Sequence, residues 1–594
     1  MKRFQRLYLN LVNRRKDYIG NRAFMVLLAI QVGFLAALAA VFLKYVIHFI
    51  ETDGIDFLPQ IMYFFFPTIG ILIVVSLYGR VFKSAAGFHG IGGVLDSIRK
   101  HSSILHYTLM YAQMITGAIT IGLGGSSGLE SPTVVTGSAI GSNSARFFRL
   151  NYKFRTLFIG CGTAATISAI FNAPIAGVIF ATEVILPQFS ATIFIPILIS
   201  AATGAFFSEL FLGDHVLFRI EGAVPFTLPE FPLLIVMGIF CGFLSLYYTK
   251  IFALSKFMLQ QISNKWKRAV VGGLILGTVV YMLPVLFGEG YVGITQIISG
   301  DFHKIWQQSF FGVLNDSPVS MMLVFGALLL LKPLAASVTV HSGGEGGQFA
   351  PSFVTGGFAG FFFFLLARQV LPHSEILHPT NYILLGMGAV LAGVMHSPLT
   401  GIFLVAEVTE SYDLLVGLMM VTAISFFTKI YFDRVPIHFK GSKSAAEIET
   451  TKHEFISLNN LKVSDIIDRS IVRIAPETPV TTVMEMLTRD EVKVMAVCDQ
   501  ERKLIGLLSD HQLRKLGRHS ENWMQLQAKD IMVIPATWID FRDQMDLVVY
   551  KFDTYNVDYL PVLNKGTLIG FVSRMSVLAS FRESLKTSTD LLGD

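Results

Sequence analysis

The stretch Gly124-Gly125-Ser126-Ser127-Gly128-Leu129-Glu130-Ser131-Pro132 holds the chain's most isolated carboxylate: between residues 101 and 145, Glu130 is the only Asp, Glu, Lys or Arg. An ionisable group in so apolar a setting is expensive and marks a functional site by default. The glycines before Glu130 and the proline after it predict a break in one helix and the start of another, because Pro suits a first helical turn. A helix start exposes free N–H groups and the positive end of its dipole, which together attract an anion. A carboxylate there can fill the site as a tethered anion, which a free anion must displace.

The same signature recurs at Gly343-Gly344-Glu345-Gly346-Gly347-Gln348-Phe349-Ala350-Pro351. From the prolines onward, Pro132–Gly141 aligns without a gap with Pro351–Gly360, and further on Pro174–Glu183 aligns with Pro398–Glu407. Two matches in the same order predict a duplicated architecture. Glycine-interrupted segments at corresponding positions of two membrane halves point to a substrate site at the repeat interface, near mid-membrane. Two helix starts converging there favour an anion, since cation sites draw more on carbonyls, helix C-termini and carboxylates.

The elements that position these loops are apolar helices. Of 594 residues, 53% are hydrophobic and only 15% charged, against about 25% charged in soluble domains. Apolar stretches of bilayer length fall at 24–49, 61–79, 155–183, 192–212, 232–254, 320–340, 352–370, 382–405 and 413–430, which predicts a polytopic membrane protein embedded in a lipid bilayer. The basic start, with Lys2, Arg3, Arg6, Arg14, Arg15 and Lys16, favours a cytoplasmic N-terminus, and the apolar run that follows is too long for a cleaved signal. Three scattered cysteines, Cys161, Cys241 and Cys498, form neither a disulfide framework nor a metal site. A net charge of +5 over this length gives no footprint for nucleic acid, and no nucleophile–base or metal-ligand constellation supports an enzyme or calls for a cofactor.

The apolar character ends near residue 430, and after a polar linker at 441–460 a smaller duplication begins. Asp465-Ile-Ile, Val494–Cys498 and Leu504–Ser509 recur as Asp530-Ile-Met, Tyr559–Leu563 and Leu568–Ser573. Short alternating runs joined by turns, with an amphipathic run at Thr481–Thr488 between them, predict α/β units. They resemble a pair of CBS domains, at 461–520 and 521–594. In that family an Asp three residues after the Ser/Thr of the Gly-hydrophobic-hydrophobic-Ser/Thr motif contacts a nucleotide ribose. Gln512 and Ser576 stand at those positions, which disfavours a regulatory adenosine nucleotide and leaves a structural or dimerising role for the pair.

Residues 23–440 resemble the CLC family of chloride channels and chloride/proton antiporters, with 1–22 as a cytoplasmic segment ahead of them. Gly128-Leu129-Glu130-Ser131-Pro132 is similar to the family's Gly-Lys/Arg-Glu-Gly-Pro, and Gly347-Gln348-Phe349-Ala350-Pro351 to its Gly-x-Phe-x-Pro; Phe171-Asn172-Ala173-Pro174 is also family-like. The resemblance implies an all-α polytopic fold of two inverted repeats followed by the α/β CBS pair, assembled as a homodimer in the cell membrane with the CBS pair in the cytoplasm. It also implies that Glu130 is the gate and that Gln348 and Phe349 offer backbone N–H groups to the anion. Gly128, Pro132, Gly347 and Pro351 would shape the two loops.

Three departures qualify the resemblance. The family's Gly-Ser-Gly-Ile-Pro corresponds best to Gly87-Phe88-His89-Gly90-Ile91-Gly92, which puts His89 where a hydroxyl would bind the anion, next to Gly90. The family's anion-binding Tyr falls at His438. Antiporters commonly carry an inner, proton-transferring Glu directly after the residue equivalent to Glu183, and here that position is Val184, as in the family's channels. Glu183 and Glu407 themselves are read as structural, bonding to loops.

The sequence therefore predicts a chloride channel, or one for a similar small monovalent anion, gated by Glu130. A chloride/proton antiporter is the alternative. A CBS-bearing divalent-cation transporter is the rival of another class, disfavoured because the glycine-rich stretches offer mostly Glu130, and a sensor without transport is a further one. Fluoride is disfavoured because the fluoride branch of the family lacks the gating Glu.

Overall fold

A computed structural model describes residues 20–50, 62–88, 90–186, 191–213, 218, 228–313, 318–371, 377–440, 463–489, 494–499, 503–509, 525–541, 543, 545–555, 557–564 and 567–580. The chain separates into two compact units, Met1–Ser442 and Lys443–Asp594.

The first unit is helical. Its first half holds α1 (Asn21–Phe49), α2 (Met62–Arg80), α3 (Gly90–Lys100), α4 (Ala112–Gly122), α5 (Glu130–Phe147), α6 (Tyr152–Phe171), α7 (Pro174–Phe180) and α8 (Ala191–Leu212). The second half holds α9 (Phe231–Gln260), α10 (Lys265–Met282), α11 (Tyr291–Ile298), α12 (Phe302–Gln308), α13 (Pro318–His341), α14 (Phe349–Val370), α15 (Pro379–Met395), α16 (Pro398–Val408) and α17 (Leu415–Phe432). Among the described residues, eight helices are long and apolar enough to cross a membrane. Two apolar stretches that read as continuous spans, 155–183 and 382–405, are each two helices. The breaks fall at Asn172 and His396, equivalent residues that both end their helix in the left-handed conformation (φ 52° and 58°), and a proline opens the helix that follows each. Asn tolerates that conformation better than most residues.

The innermost helices are α5, α6, α14 and α15, whose residues are almost entirely buried. Helix α5 packs on α6 as α14 packs on α15. The helix backbones nearly touch: a Cβ on Gly141 would stand 1.8 Å from the Phe158 carbonyl oxygen, and one on the equivalent Gly360 2.0 Å from that of Tyr382. Small residues permit this approach where water cannot drive packing.

The halves are tied by reciprocal bonds. Glu183 accepts from the N–H groups of Leu399 (3.2 Å) and Thr400 (2.9 Å) and from the Thr400 hydroxyl (2.7 Å), at the start of α16. Glu407 accepts from the N–H groups of Ile175 (3.0 Å) and Ala176 (2.7 Å), at the start of α7. Each carboxylate thus caps the other repeat's helix start, rather than a loop, and satisfies donors that the helix leaves unpaired. Such exchange of equivalent contacts is the mark of a two-fold relation between the repeats.

The second unit repeats a small α/β motif. In the first half, β1 (Val472–Ile474) runs parallel to β2 (Val494–Cys498), which pairs antiparallel with β3 (Leu504–Ser509). In the second, β4 (Ile539–Asp540), β5 (Tyr559–Asn564) and β6 (Thr567–Ser573) repeat that order and those senses. One amphipathic helix sits between the first two strands of each, α19 (Val480–Arg489) and α21 (Met545–Tyr555). The halves exchange their leading segments. Val463 and Ile466, in α18 (Val463–Ile466), are buried in the core of the second half. Ala528, in α20 (Ala528–Ile531), is buried in that of the first. Gln512 and the linker at 441–460 lie outside the described residues. The Ser576 hydroxyl is spent locally: Ser573 N–H donates to it at 3.1 Å, and it donates to the Ser573 carbonyl at 2.8 Å.

Removal of a cross-repeat cap has a defined cost. Glu183→Ala leaves three donors at the start of α16 without their acceptor. It is expected to destabilise the fold by about 1–3 kcal/mol, while Glu183→Gln, which keeps an acceptor oxygen, costs less. Thermal unfolding in detergent, followed by intrinsic fluorescence, checks the order of the two.

Candidate functional site

The two glycine loops cross at one point. Gly128 N–H donates to the Gly347 carbonyl at 3.1 Å and Gly347 N–H to the Gly128 carbonyl at 2.8 Å, a single antiparallel bridge between the repeats. On either side the loops exchange threonine contacts. Ser126 N–H donates to Thr339 Oγ1 at 3.1 Å, and Glu345 N–H donates to Thr120 Oγ1 at 2.9 Å. Buried loop backbone must find partners, and the two loops supply them to each other.

Beyond the bridge, each loop enters its helix, α5 at Glu130 and α14 at Phe349. Glu130 is fully buried. Its Oε1 accepts from Tyr291 OH at 2.9 Å and its Oε2 from Ala350 N–H at 3.4 Å. The carboxylate that starts one helix therefore lies against the start of the other. A Cβ on Gly128 would stand 2.0 Å from Glu130 Oε2, so glycine there makes room for the carboxylate. Phe349 is fully buried, its ring 5.7 Å from that of Phe171 and 5.6 Å from that of Phe180. The Gln348 side chain is held away from an anion role, accepting from Tyr248 OH at 2.8 Å and donating to the Ala336 carbonyl at 3.4 Å.

The third element is the start of α3. A Cβ on Gly90 would stand 2.4 Å from Ser131 Oγ, next to the carboxylate-bearing residue, and one on Gly92 2.9 Å from the His438 carbonyl oxygen. Gly90, Ser131 and the turn Ile437–Phe439 are thereby brought together. His438 Nε2 is buried without a hydrogen-bond partner. That turn is held in place by Lys429, whose Nζ contacts His396 Nε2 (2.8 Å) and donates to the carbonyls of Asp433 (2.9 Å) and Val435 (2.8 Å). His89 lies outside the described residues. Val184 is half-buried in the wider turn Ala181–Ile185 that ends α7, and it brings no titratable group. Pro132 and Pro351 fall in the first turns of α5 and α14.

The side chains around Glu130 that sequence reasoning left unassigned come largely from one loop. Residues 288–291 run past the start of α5: Glu289 Oε1 accepts from Leu129 N–H at 3.0 Å, and Tyr291 holds Glu130. The fully buried Lys332 donates to Ser126 Oγ at 2.9 Å and to the Gly288 carbonyl at 3.1 Å. A single lysine in the apolar α13 was the one available signal for this cluster; Tyr291 carried none.

The arrangement suits an anion. Its donors are backbone N–H groups, one tyrosine and a nearby lysine, and its occupant is a tethered carboxylate.

Comparison with known proteins agrees with this. The family profile described as voltage gated chloride channel matches residues 69–429, and the CBS domain profile matches residues 463–518. Chloride channel protein CLC-f of Arabidopsis thaliana is 22% identical over 567 residues, covering 82% of this chain and 70% of that one. The H(+)/Cl(-) exchange transporter ClcA of Vibrio vulnificus is 26% identical over 415 residues, covering 67% of this chain and 84% of that one. Among solved structures, a slow cyanobacterial Cl-/H+ antiporter superposes with a TM-score of 0.59 at 20% identity, covering 73% of this chain and 99% of that one. The profile spans more than half of the chain, and its fold and paired glycine loops agree with it: this protein is a multi-pass membrane member of the CLC family of chloride transporters and channels, carrying a C-terminal CBS domain.

Proposed function

We propose that this protein is a chloride channel of the CLC type whose path is closed by Glu130. The observation that carries the reading is the position of that carboxylate: it begins α5, accepts from the first turn of α14 and from Tyr291, and is sealed from solvent. A chloride ion would use the same donors, so anion and carboxylate exclude each other. Opening requires the carboxylate to leave, and protonation lets it leave by removing the charge that the N–H donors and Lys332 hold. The N-terminus of α3 at Gly90 and the unpartnered His438 Nε2 line the continuation of the path. Val184, a non-acidic residue at the inner proton position, supports uncoupled conduction.

Coupled chloride/proton exchange is the second reading. What favours it is the similarity to ClcA, an H(+)/Cl(-) exchange transporter. Cell-membrane placement with a cytoplasmic N-terminus and CBS pair rests on the basic residues at the start of the chain. A homodimer and, at the CBS pair, a structural role rather than nucleotide binding belong to the same proposal; Ser576, engaged with Ser573, supports the latter.

Two experiments test it. In proteoliposomes loaded with chloride and diluted into low chloride, efflux through the wild type is expected to rise as pH falls, because acid neutralises the plug. Glu130→Ala is expected to conduct faster and without pH dependence, with no uphill proton uptake in either protein. Uphill proton uptake driven by chloride efflux and abolished by Glu130→Ala would establish exchange instead. The second experiment is calorimetric titration of chloride into detergent-solubilised protein. His438→Ala, which removes one hydrogen-bond donor, is expected to weaken binding by roughly fivefold, the equivalent of about 1 kcal/mol.

A further inference from the structure

Two carboxylates share the start of α5. Glu130 reaches from it to the N–H of Ala350 in α14, while Glu289 accepts from the N–H of Leu129, the residue just before the helix, at 3.0 Å. Glu130 is fully buried and Glu289 half-buried. The segment that carries Glu289 bends around Lys332. The lysine ammonium donates to the Gly288 carbonyl at 3.1 Å, and a Cβ on Gly290 (φ 93°) would stand 3.1 Å from the same Nζ. The chain on both sides of Glu289 therefore lies against that lysine. One residue further, Tyr291 OH donates to Glu130 Oε1 at 2.9 Å. Four consecutive residues thus hold the gate carboxylate, the N–H beside it and the nearby lysine.

The surroundings of the two carboxylates differ in charge. Glu289 is faced by Lys44 from α1, by Lys332 from α13, by the Leu129 N–H from α5 and by Tyr291 from α11. Glu130 is faced by Tyr291, by the Ala350 N–H from α14, by Tyr248 from α9, by Lys332 and by Glu289 itself. Lys332 attracts both carboxylates, and Glu289 is the like charge acting on Glu130. The Leu129 N–H needs no charged acceptor, since a neutral side-chain oxygen satisfies a helix start as well. Two carboxylates at one site oppose each other's charge, and the one with water contact and two lysines keeps its own more cheaply.

We propose that Glu289 is a positioning residue for the gate: held on the Leu129 N–H, its charge opposes that of Glu130 and thereby sets the pH at which the gate opens. The inference rests on Glu130 being the gate. With Glu289 charged, keeping a charged Glu130 in place is costly, and a proton on Glu130 relieves the repulsion. Without the Glu289 charge the repulsion is gone, and Lys332 attracts Glu130 alone. Both effects hold the gate carboxylate down, so opening then takes stronger acid. Glu289 acts through Glu130, and no bond is made or broken at it.

The test is chloride efflux from proteoliposomes across a pH series, with the full chain carrying Glu289→Gln, Glu289→Asp, Glu130→Ala, or Glu130→Ala together with Glu289→Gln. Glu289→Gln keeps an oxygen for the Leu129 N–H, and it is expected to move the midpoint of acid-stimulated efflux to lower pH by about one pH unit, the low end for one neighbouring charge. Glu289→Asp, which keeps the charge and shortens the reach, is expected to stay closer to the wild-type midpoint. The double variant is expected to run at the Glu130→Ala rate at every pH, because Glu289 acts only through the gate. A Glu289→Gln midpoint at or above the wild-type pH would overturn the proposal. So would a Glu289→Asp midpoint displaced as far as about one pH unit, which would make the hydrogen bond rather than the charge the cause; this arm decides alone if Glu289→Gln does not fold. Slowing of Glu130→Ala by Glu289→Gln would also overturn it, placing Glu289 in the anion path itself. If Glu130→Ala alone kept the wild-type pH profile, the gate reading itself would fall, separately from these outcomes.

Discussion

The crossing of Gly128 and Gly347 is the contact on which the rest of the membrane unit depends. Two irregular loops lie at the centre of an apolar helical assembly, where an unpaired N–H or C=O costs several kcal/mol. The solution is mutual: each glycine donates to the other's carbonyl, and the threonines of α4 and α13 accept from the opposite loop. Bulk is excluded at the same point, since a Cβ on Gly347 would stand 2.8 Å from Ser131 Cβ. Once the loops cross, the starts of α5 and α14 must face the same small volume. The placing of Glu130 against the start of α14 is thus a consequence of how two buried loops satisfy their backbones.

That volume is balanced by charge rather than filled by packing. Glu130 is sealed among two helix ends, a tyrosine and a nearby lysine. A buried carboxylate with N–H donors costs far less than an unpaired one, and it keeps those donors satisfied. In the proposed function, exchange of the carboxylate for chloride would keep the site's net charge and its donor count. Departure of the carboxylate without an anion would strand the donors and Lys332, which is why the proposed function puts gate and ion in one equilibrium. The strap 288–291 restrains that exchange from the side, with Glu289 on the Leu129 N–H and Tyr291 on the carboxylate itself.

The sequence displayed the parts of this design that are local. Glu130 stood out through isolation, the loops through glycine and proline, and the duplication through ungapped matches around them. What it concealed was made by elements distant in the chain. Tyr291 and Glu289 belong to a short segment with no motif, and the N–H that reaches Glu130 is that of Ala350 rather than those of Gln348 or Phe349. Hydropathy merged α6 with α7 and α15 with α16, because the breaks at Asn172 and His396 interrupt the helix without interrupting the apolar run. In the tail, the repeat in sequence was plain. The exchange of α18 and α20 between halves was not, since a four-residue helix shows no periodicity that names its partner.

The duplication also explains where chemistry can reside. Equivalent positions share backbone roles and differ in side chain. Glu130 opens one helix and Phe349 the other, Ser126 anchors one loop and Glu345 occupies the same place in the other. Gln113 in α4 donates to the Phe88 carbonyl at 3.3 Å, and its equivalent Lys332 donates to the Gly288 carbonyl at 3.1 Å. A perfectly symmetric pair of repeats would put like charges face to face and would hold an anion equally from both sides. The first repeat carries Glu130, and the second carries Lys332 and Glu345, so the two repeats bring different charges to the crossing. The symmetric backbone brings the two loops together, and the broken symmetry of three side-chain pairs sets the charge around them, which is what the proposed function reads as a gate.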